Sequence, residues 1–100
     1  MRMAPRERVL SALNHREPDR VPIDIGGSFA TGINVAAYEA LKEYLDIQTE
    51  TVVASRRSQI AEVEERVRQR LSIDTYPLLP RAPEGAEVIY PDGSYRDEWG

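Results

Sequence analysis

The chain contains no cysteine, which excludes a disulfide framework and any thiolate metal site. Its one histidine, His15, cannot build an imidazole metal centre alone. It has no long apolar run, and nothing approaches the roughly 20 residues of a membrane span. The opening stretch Met1–Arg8 carries charges where a signal peptide would carry its apolar core, so a cytoplasmic protein is expected. A basic excess is also missing. Thirteen Lys and Arg face 17 Asp and Glu, for a net charge of −4, which argues against nucleic acid or an anionic membrane as partner. Apolar residues make up 41% and charged residues 30%, a lean composition for a globular domain. Some faces are therefore expected to be completed by contacts from outside these 100 residues.

What is present is organised around Glu17–Gly27. Glu17-Pro18-Asp19 reads as a turn, since proline fixes φ and aspartate bonds its own backbone. Val21–Ile25 reads as a short buried strand of branched apolar residues, with Pro22 near its start. Val21, Ile23 and Ile25 share one face and Asp24 takes the other. Gly26-Gly27 ends the strand and lets the backbone bend or approach a ligand. A helix from Pro5 to about Asn14 leads in, with Pro5 at its first position, Val9, Leu10 and Leu13 as its stripe, and Ala4 as a poor cap. Asn34 suits the N-cap of a second helix over about Val35–Leu45, burying Tyr38, Leu41 and Leu45. Ser58–Leu71 carries the strongest helical pattern: Ile60, Val63, Val67 and Leu71 at helical spacing, with Glu62–Arg66 and Glu64–Arg68 as i,i+4 pairs. Ile73–Leu79 is a candidate strand interrupted by Pro77. Residues 87–90 and 94–96 flank Pro91-Asp92-Gly93 as a hairpin. The fold class expected is α/β, in the order helix, strand, two helices, short strand, hairpin.

Several of these stretches together resemble the opening of the uroporphyrinogen decarboxylase superfamily. They are Pro5-Arg6-Glu7-Arg8-Val9-Leu10, then Leu13-Asn14-His15-Arg16-Glu17-Pro18-Asp19-Arg20-Val21-Pro22-Ile23-Asp24, then Gly26-Gly27 and Thr31-Gly32-Ile33. Ala37–Leu45 and the run from Asp92-Gly93 through Asp97-Glu98-Trp99-Gly100 continue the likeness. The resemblance implies a (β/α)8 TIM barrel with Val21–Ile25 as its first strand. Such a barrel needs on the order of 250 residues, so residues 1–100 are expected to be an N-terminal fragment of one barrel domain. That superfamily includes uroporphyrinogen decarboxylases of porphyrin biosynthesis and corrinoid-dependent methyltransferases acting with zinc.

The departures bear on function. In true decarboxylases the first strand runs into Arg-Gln-Ala-Gly-Arg, whose arginines meet substrate carboxylates. Here that place is taken by Gly27-Ser28-Phe29-Ala30-Thr31, with no arginine to supply bidentate recognition. The resemblance therefore points to the corrinoid methyltransferase-like or uncharacterised branch rather than to true uroporphyrinogen decarboxylases. Zinc and a corrinoid are expected only in a full-length protein, and no cofactor within this chain. The partners expected are a small-molecule or corrinoid-protein substrate and the remainder of the barrel itself. Asp24, Gly26, Gly27, Ser28 and Thr31 are the candidate substrate-binding residues; the catalytic residues and metal ligands are not assigned. Asp24 would sit at the C-terminal mouth of the barrel, where such folds do chemistry; the simpler reading is a structural carboxylate bonded to loop N–H groups. Two alternatives stand: a decarboxylase with a rearranged carboxylate clamp, and a non-catalytic α/β interaction module.

Overall fold

The structure is a computed structural model, which describes residues 2–100. Helix α1 spans Pro5–Leu13. Ala4 has no side chain with which to cap it, but its own N–H donates to Glu7 Oε2 at 3.1 Å, so the first turn closes from inside. A 3-10 turn over Phe29–Thr31 precedes α2, Val35–Tyr44. The Asn34 side chain accepts from Ala36 N at 2.9 Å, the N-cap expected from its type. Strands β1 (Val53–Ser55) and β2 (Ile60–Ala61) pair antiparallel with an irregular register. Helix α3, Glu65–Arg70, follows. The hairpin of β3 (Val88–Ile89) and β4 (Tyr95–Arg96) forms as expected. Gly93 takes φ +86° in its turn, and Asp92 accepts from Ser94 N at 2.9 Å. The chain thus mixes helices with short antiparallel strands.

Three expected elements differ. Val21–Ile25, expected as a buried strand, has no regular structure and joins no strand ladder, and its Val21 and Ile23 are exposed; what holds it is a side chain, described below. Ile73–Leu79 likewise has no regular structure and joins no ladder, with Ile73 buried and Leu78 fully out. The helix expected over Ser58–Leu71 is cut to Glu65–Arg70. The cause is competition for backbone partners. Ala61 N donates to Ile33 O at 2.9 Å, Glu62 N to Val52 O at 2.8 Å, and Glu64 N to the Tyr38 hydroxyl at 2.9 Å. Each of these N–H groups would otherwise close a helical turn. Neither i,i+4 pair forms: Glu62 and Glu64 lie outside α3, and Glu64 instead accepts from the Thr49 hydroxyl.

The core gathers Tyr38, Leu45, Ile47, Ala61, Val63, Val67 and Ile73, with Ile25, Ile33, Val35, Leu41 and Leu71 against it. Val63 and Val67 are therefore core residues, as their spacing suggested, but only Val67 is on a helix. Lys42 is buried beside them, its Nζ donating to Thr49 O at 2.7 Å and lying 5.2 Å from the Tyr38 ring centroid. Of the stripe expected on α1 only Val9 is half-buried. Arg8 is its buried residue, while Leu10 is partly and Leu13 largely exposed.

All three helices end alike, in a left-handed residue that is not glycine: His15 (φ 57°), Asp46 (φ 56°) and Ser72 (φ 53°). The following N–H reaches back five residues each time: Arg16 to Ser11 O, Ile47 to Lys42 O, Ile73 to Arg68 O. This is the Schellman arrangement, which prefers glycine because a Cβ is crowded there. Ser72→Gly should therefore stabilise the protein by about 0.5–1 kcal/mol, the relief of the left-handed strain less glycine's greater entropy loss. Urea unfolding of the two proteins reads this directly; a destabilised variant would mean the Ser72 side chain has a further role.

Candidate functional site

Asp24 lies where segment 21–25 turns into the glycine loop. Its Oδ1 accepts from Gly27 N at 3.0 Å and from the Thr75 hydroxyl at 2.6 Å. The two segments, 21–25 and 73–77, thus meet at this carboxylate. Gly27 is required by close approach: a Cβ there would lie 2.5 Å from Asp24 Oδ1 and 2.8 Å from Thr75 Oγ1. Gly26 carries φ +81°, and a Cβ on it would meet Val63 Cγ2 at 2.7 Å. The loop closes on itself through Gly26 N to Thr31 O at 2.9 Å. Ser28 N donates to Thr31 Oγ1 at 3.1 Å, and the two hydroxyls are 3.3 Å apart. Both hydroxyls are thereby engaged in holding the turn. Asp24 differs: among the described residues its Oδ2 accepts no hydrogen bond, and the residue is exposed. The structure brings Asp24 to Gly27 and Ser28 to Thr31, on one loop, with Thr75 as a residue that sequence reasoning missed.

A second cluster adjoins the first, through Ile23 and Asp74, the residues next to Asp24 and Thr75. The Asp74 side chain is fully buried. Its Oδ1 accepts from Arg8 Nη1 at 2.6 Å and Arg20 Nη2 at 3.1 Å. Its Oδ2 accepts from Arg20 Nη1 at 2.7 Å and Ile23 N at 2.9 Å. Asp74 N in turn donates to Ile23 O at 2.8 Å. Arg8 also donates to Asp19, from Nε at 2.6 Å and Nη2 at 2.9 Å, and to Met3 O at 2.7 Å. Asp19 completes itself by accepting from Met3 N at 2.8 Å. The aspartate expected to bond its own turn therefore bonds a helix and a terminus instead.

These contacts move the charges as their geometry demands. The hydrogen bond to Asp19, then that to Asp74, holds Arg8 above the ordinary arginine range against the opposing cost of burial. Arg8, then the Met3 N–H, holds Asp19 well below the usual carboxylate range. Burial pushes Asp74 up, but the Ile23 N–H and the two arginines outweigh it, and the net displacement is downward. Among the described residues no three His, Cys, Asp or Glu side chains converge in a group that could hold a metal ion. His15 sits alone in the exposed turn after α1.

Against known proteins, no family model, no curated protein and no solved structure matches this chain. No helix among the described residues is long and apolar enough to cross a membrane.

The ion cluster generates a stability test. Asp74→Asn would leave Arg8 and Arg20 without their shared buried counter-charge, and should cost about 3–5 kcal/mol. The pH dependence has a definite sign. Asp19 and Asp74 both titrate lower in the folded state than in the unfolded chain. Their contribution is complete above the unfolded value of about 3.9 and is lost as pH falls through the lower folded values. Urea midpoints measured on either side of about pH 4 should therefore fall with acid in the native protein. The drop should be shallower in Asp74→Asn. Equal acid slopes for the two would show that other carboxylates govern the loss.

Proposed function

We propose that this chain is the N-terminal part of a barrel enzyme of the uroporphyrinogen decarboxylase superfamily, in its methyl-transferring branch. The observation that carries the reading is the state of Val21–Ile25. It is an apolar segment without a strand ladder whose backbone, among the described residues, is tied to one other segment, through Ile23 and Asp74, with Val21 80% exposed. A barrel strand needs a neighbour on each side. The segment ends in an anchored aspartate and a glycine loop, the arrangement expected at a barrel mouth. Further support comes from the spread of the chain. Its radius of gyration is 16.4 Å, against roughly 13 Å for a compact chain of this length. Leu13, Tyr76, Leu78 and Trp99 stand exposed on it.

Methyl transfer is favoured over decarboxylation by where the arginines are. The loop Gly27–Thr31 has none, and Arg8 and Arg20 are engaged by Asp19 and Asp74 rather than offered to a polycarboxylate. The zinc of that branch does not fit the residues present, which lack cysteine and hold one isolated histidine. Metal and corrinoid are assigned to the remainder of the protein, and no step through them is derived. Within this chain Asp24 Oδ2 accepts an N–H or O–H of the substrate, with Oδ1 fixed by Thr75 and Gly27. Gly26 and Gly27 let the loop pack tightly on Val63, Asp24 and Thr75, and Ser28 and Thr31 keep the loop in shape.

The full-length protein, incubated with methylcobalamin and a thiol, should demethylate the cobalamin, read from its visible absorbance, and should leave uroporphyrinogen unchanged. Asp24→Asn should lower kcat/KM by roughly tenfold with little loss of stability. Conversion of uroporphyrinogen would overturn the branch assignment. Loss of stability with kcat intact would make Asp24 a structural carboxylate only.

A further inference from the structure

A solvent-open cleft of about 290 Å3 runs between the start of α1, Ser72–Asp74 and α3. Four of the residues lining it are arginines: Arg2, Arg8, Arg20 and Arg68. That is a concentration of cations in a chain of net charge −4. Two of them are neutralised, since Arg8 and Arg20 face Asp19 and Asp74. The other two are not balanced in the same way. Arg2 has no ion pair among the described residues.

Arg68 is the informative one. It is 8% exposed. Its Nη1 donates to Thr75 O at 3.2 Å and its Nη2 to Val63 O at 2.6 Å, and its guanidinium lies 4.5 Å from the Tyr76 ring centroid. Two carbonyls and an aromatic face thus fix the group in place, and none of them carries a negative charge. Its Nε is buried and has no hydrogen-bond partner. Among the described residues the one carboxylate within 4 Å of it is Glu65, whose Oε2 lies 3.7 Å from Nε, too far for a hydrogen bond, on a side chain 61% exposed. A buried cation with an unspent N–H is costly. An acceptor already approaches from that direction but does not close the bond.

We propose that this cleft binds a phosphate group, free or as a phosphomonoester, between Arg2 and Arg68, with Glu65 turned outward to admit it. The charge of the ligand decides the class. A carboxylate offers no more than Glu65 already offers in place. A phosphate monoester carries about −1.5 to −2 at neutral pH and three acceptor oxygens, enough to displace Glu65 and to engage both guanidinium groups. Gln69, which also lines the cleft, adds an amide donor now turned toward Glu65 at 3.3 Å. The site is independent of the Asp24 loop, so its test does not depend on the enzyme reading.

The full-length protein is titrated at low ionic strength with inorganic phosphate, with glycerol phosphate and with acetate, by calorimetry. Saturable binding of phosphate, and none of acetate, is the expected result. Tighter glycerol phosphate than phosphate would identify a phosphomonoester as the ligand; the reverse order would identify the free ion. Arg2→Gln should weaken binding about tenfold. Glu65→Gln should tighten it several-fold, because the competing carboxylate is gone. Both residues are exposed, so circular dichroism of the variants should match the native protein. Acetate binding as well as phosphate, no saturation with phosphate, or a Glu65→Gln variant that binds no more tightly would each overturn the proposal.

Discussion

The fold depends on one buried carboxylate. Asp74 takes four hydrogen bonds, from Arg8, from both ends of the Arg20 fork and from the Ile23 backbone. These donors come from α1, from the turn after it and from the segment that follows. A single side chain near the far end of the folded core thus positions the first quarter of the chain. Burying a carboxylate and a guanidinium is expensive, and it is tolerable here because every Asp74 lone pair is met. The arrangement is specific more than it is stabilising. A hydrophobic contact would accept many orientations of α1, whereas a fork of guanidinium donors accepts few.

The remainder of the interior follows a similar logic. Tyr38, the largest fully buried side chain, spends its hydroxyl on the Glu64 N–H just where α3 begins. Lys42 is buried but spends its ammonium on Thr49. Arg70 reaches Leu45 O at 3.1 Å and ties α3 to the end of α2. The apolar core is small, and long cationic side chains do much of the cross-bracing by burying their stems and directing their heads to backbone carbonyls. This explains how a composition with few large apolar residues holds three short helices together.

The same features separate two regions of differing character. The face built on Asp24, Gly26 and Gly27 has a carboxylate with one oxygen fixed and one open, beside backbone that joins no strand ladder. The face built on Arg8, Arg20 and Arg68 is rigid and rich in donors. Segment 21–25 carries both, since Ile23 and Asp24 are consecutive and address Asp74 and Thr75, which are also consecutive.

Local chemistry was legible from the residues themselves. The Asn34 cap, the Tyr38–Leu41–Leu45 stripe and the Pro91-Asp92-Gly93 hairpin each depend on near neighbours in the chain, so residue type and spacing determine them; the glycines at 26 and 27 read as a bend, but the contacts that demand them come from the distant Val63 and Thr75. The bond from Gly27 N to Asp24 is local, three residues apart. What only the tertiary structure decided spans long separations. Arg8 and Asp74 are 66 residues apart, and Asp24 and Thr75 are 51 apart. Nothing in the pattern around Arg8 marks it as the buried residue of α1, because a charge is buried only when a distant counter-charge meets it. The helical spacing of Ile60, Val63, Val67 and Leu71 was real, yet residues 60–64 gave up helix for bonds to Ile33, Val52 and Tyr38. Periodicity states which side chains go inward; which backbone partners they find is decided by segments that arrive from elsewhere in the chain.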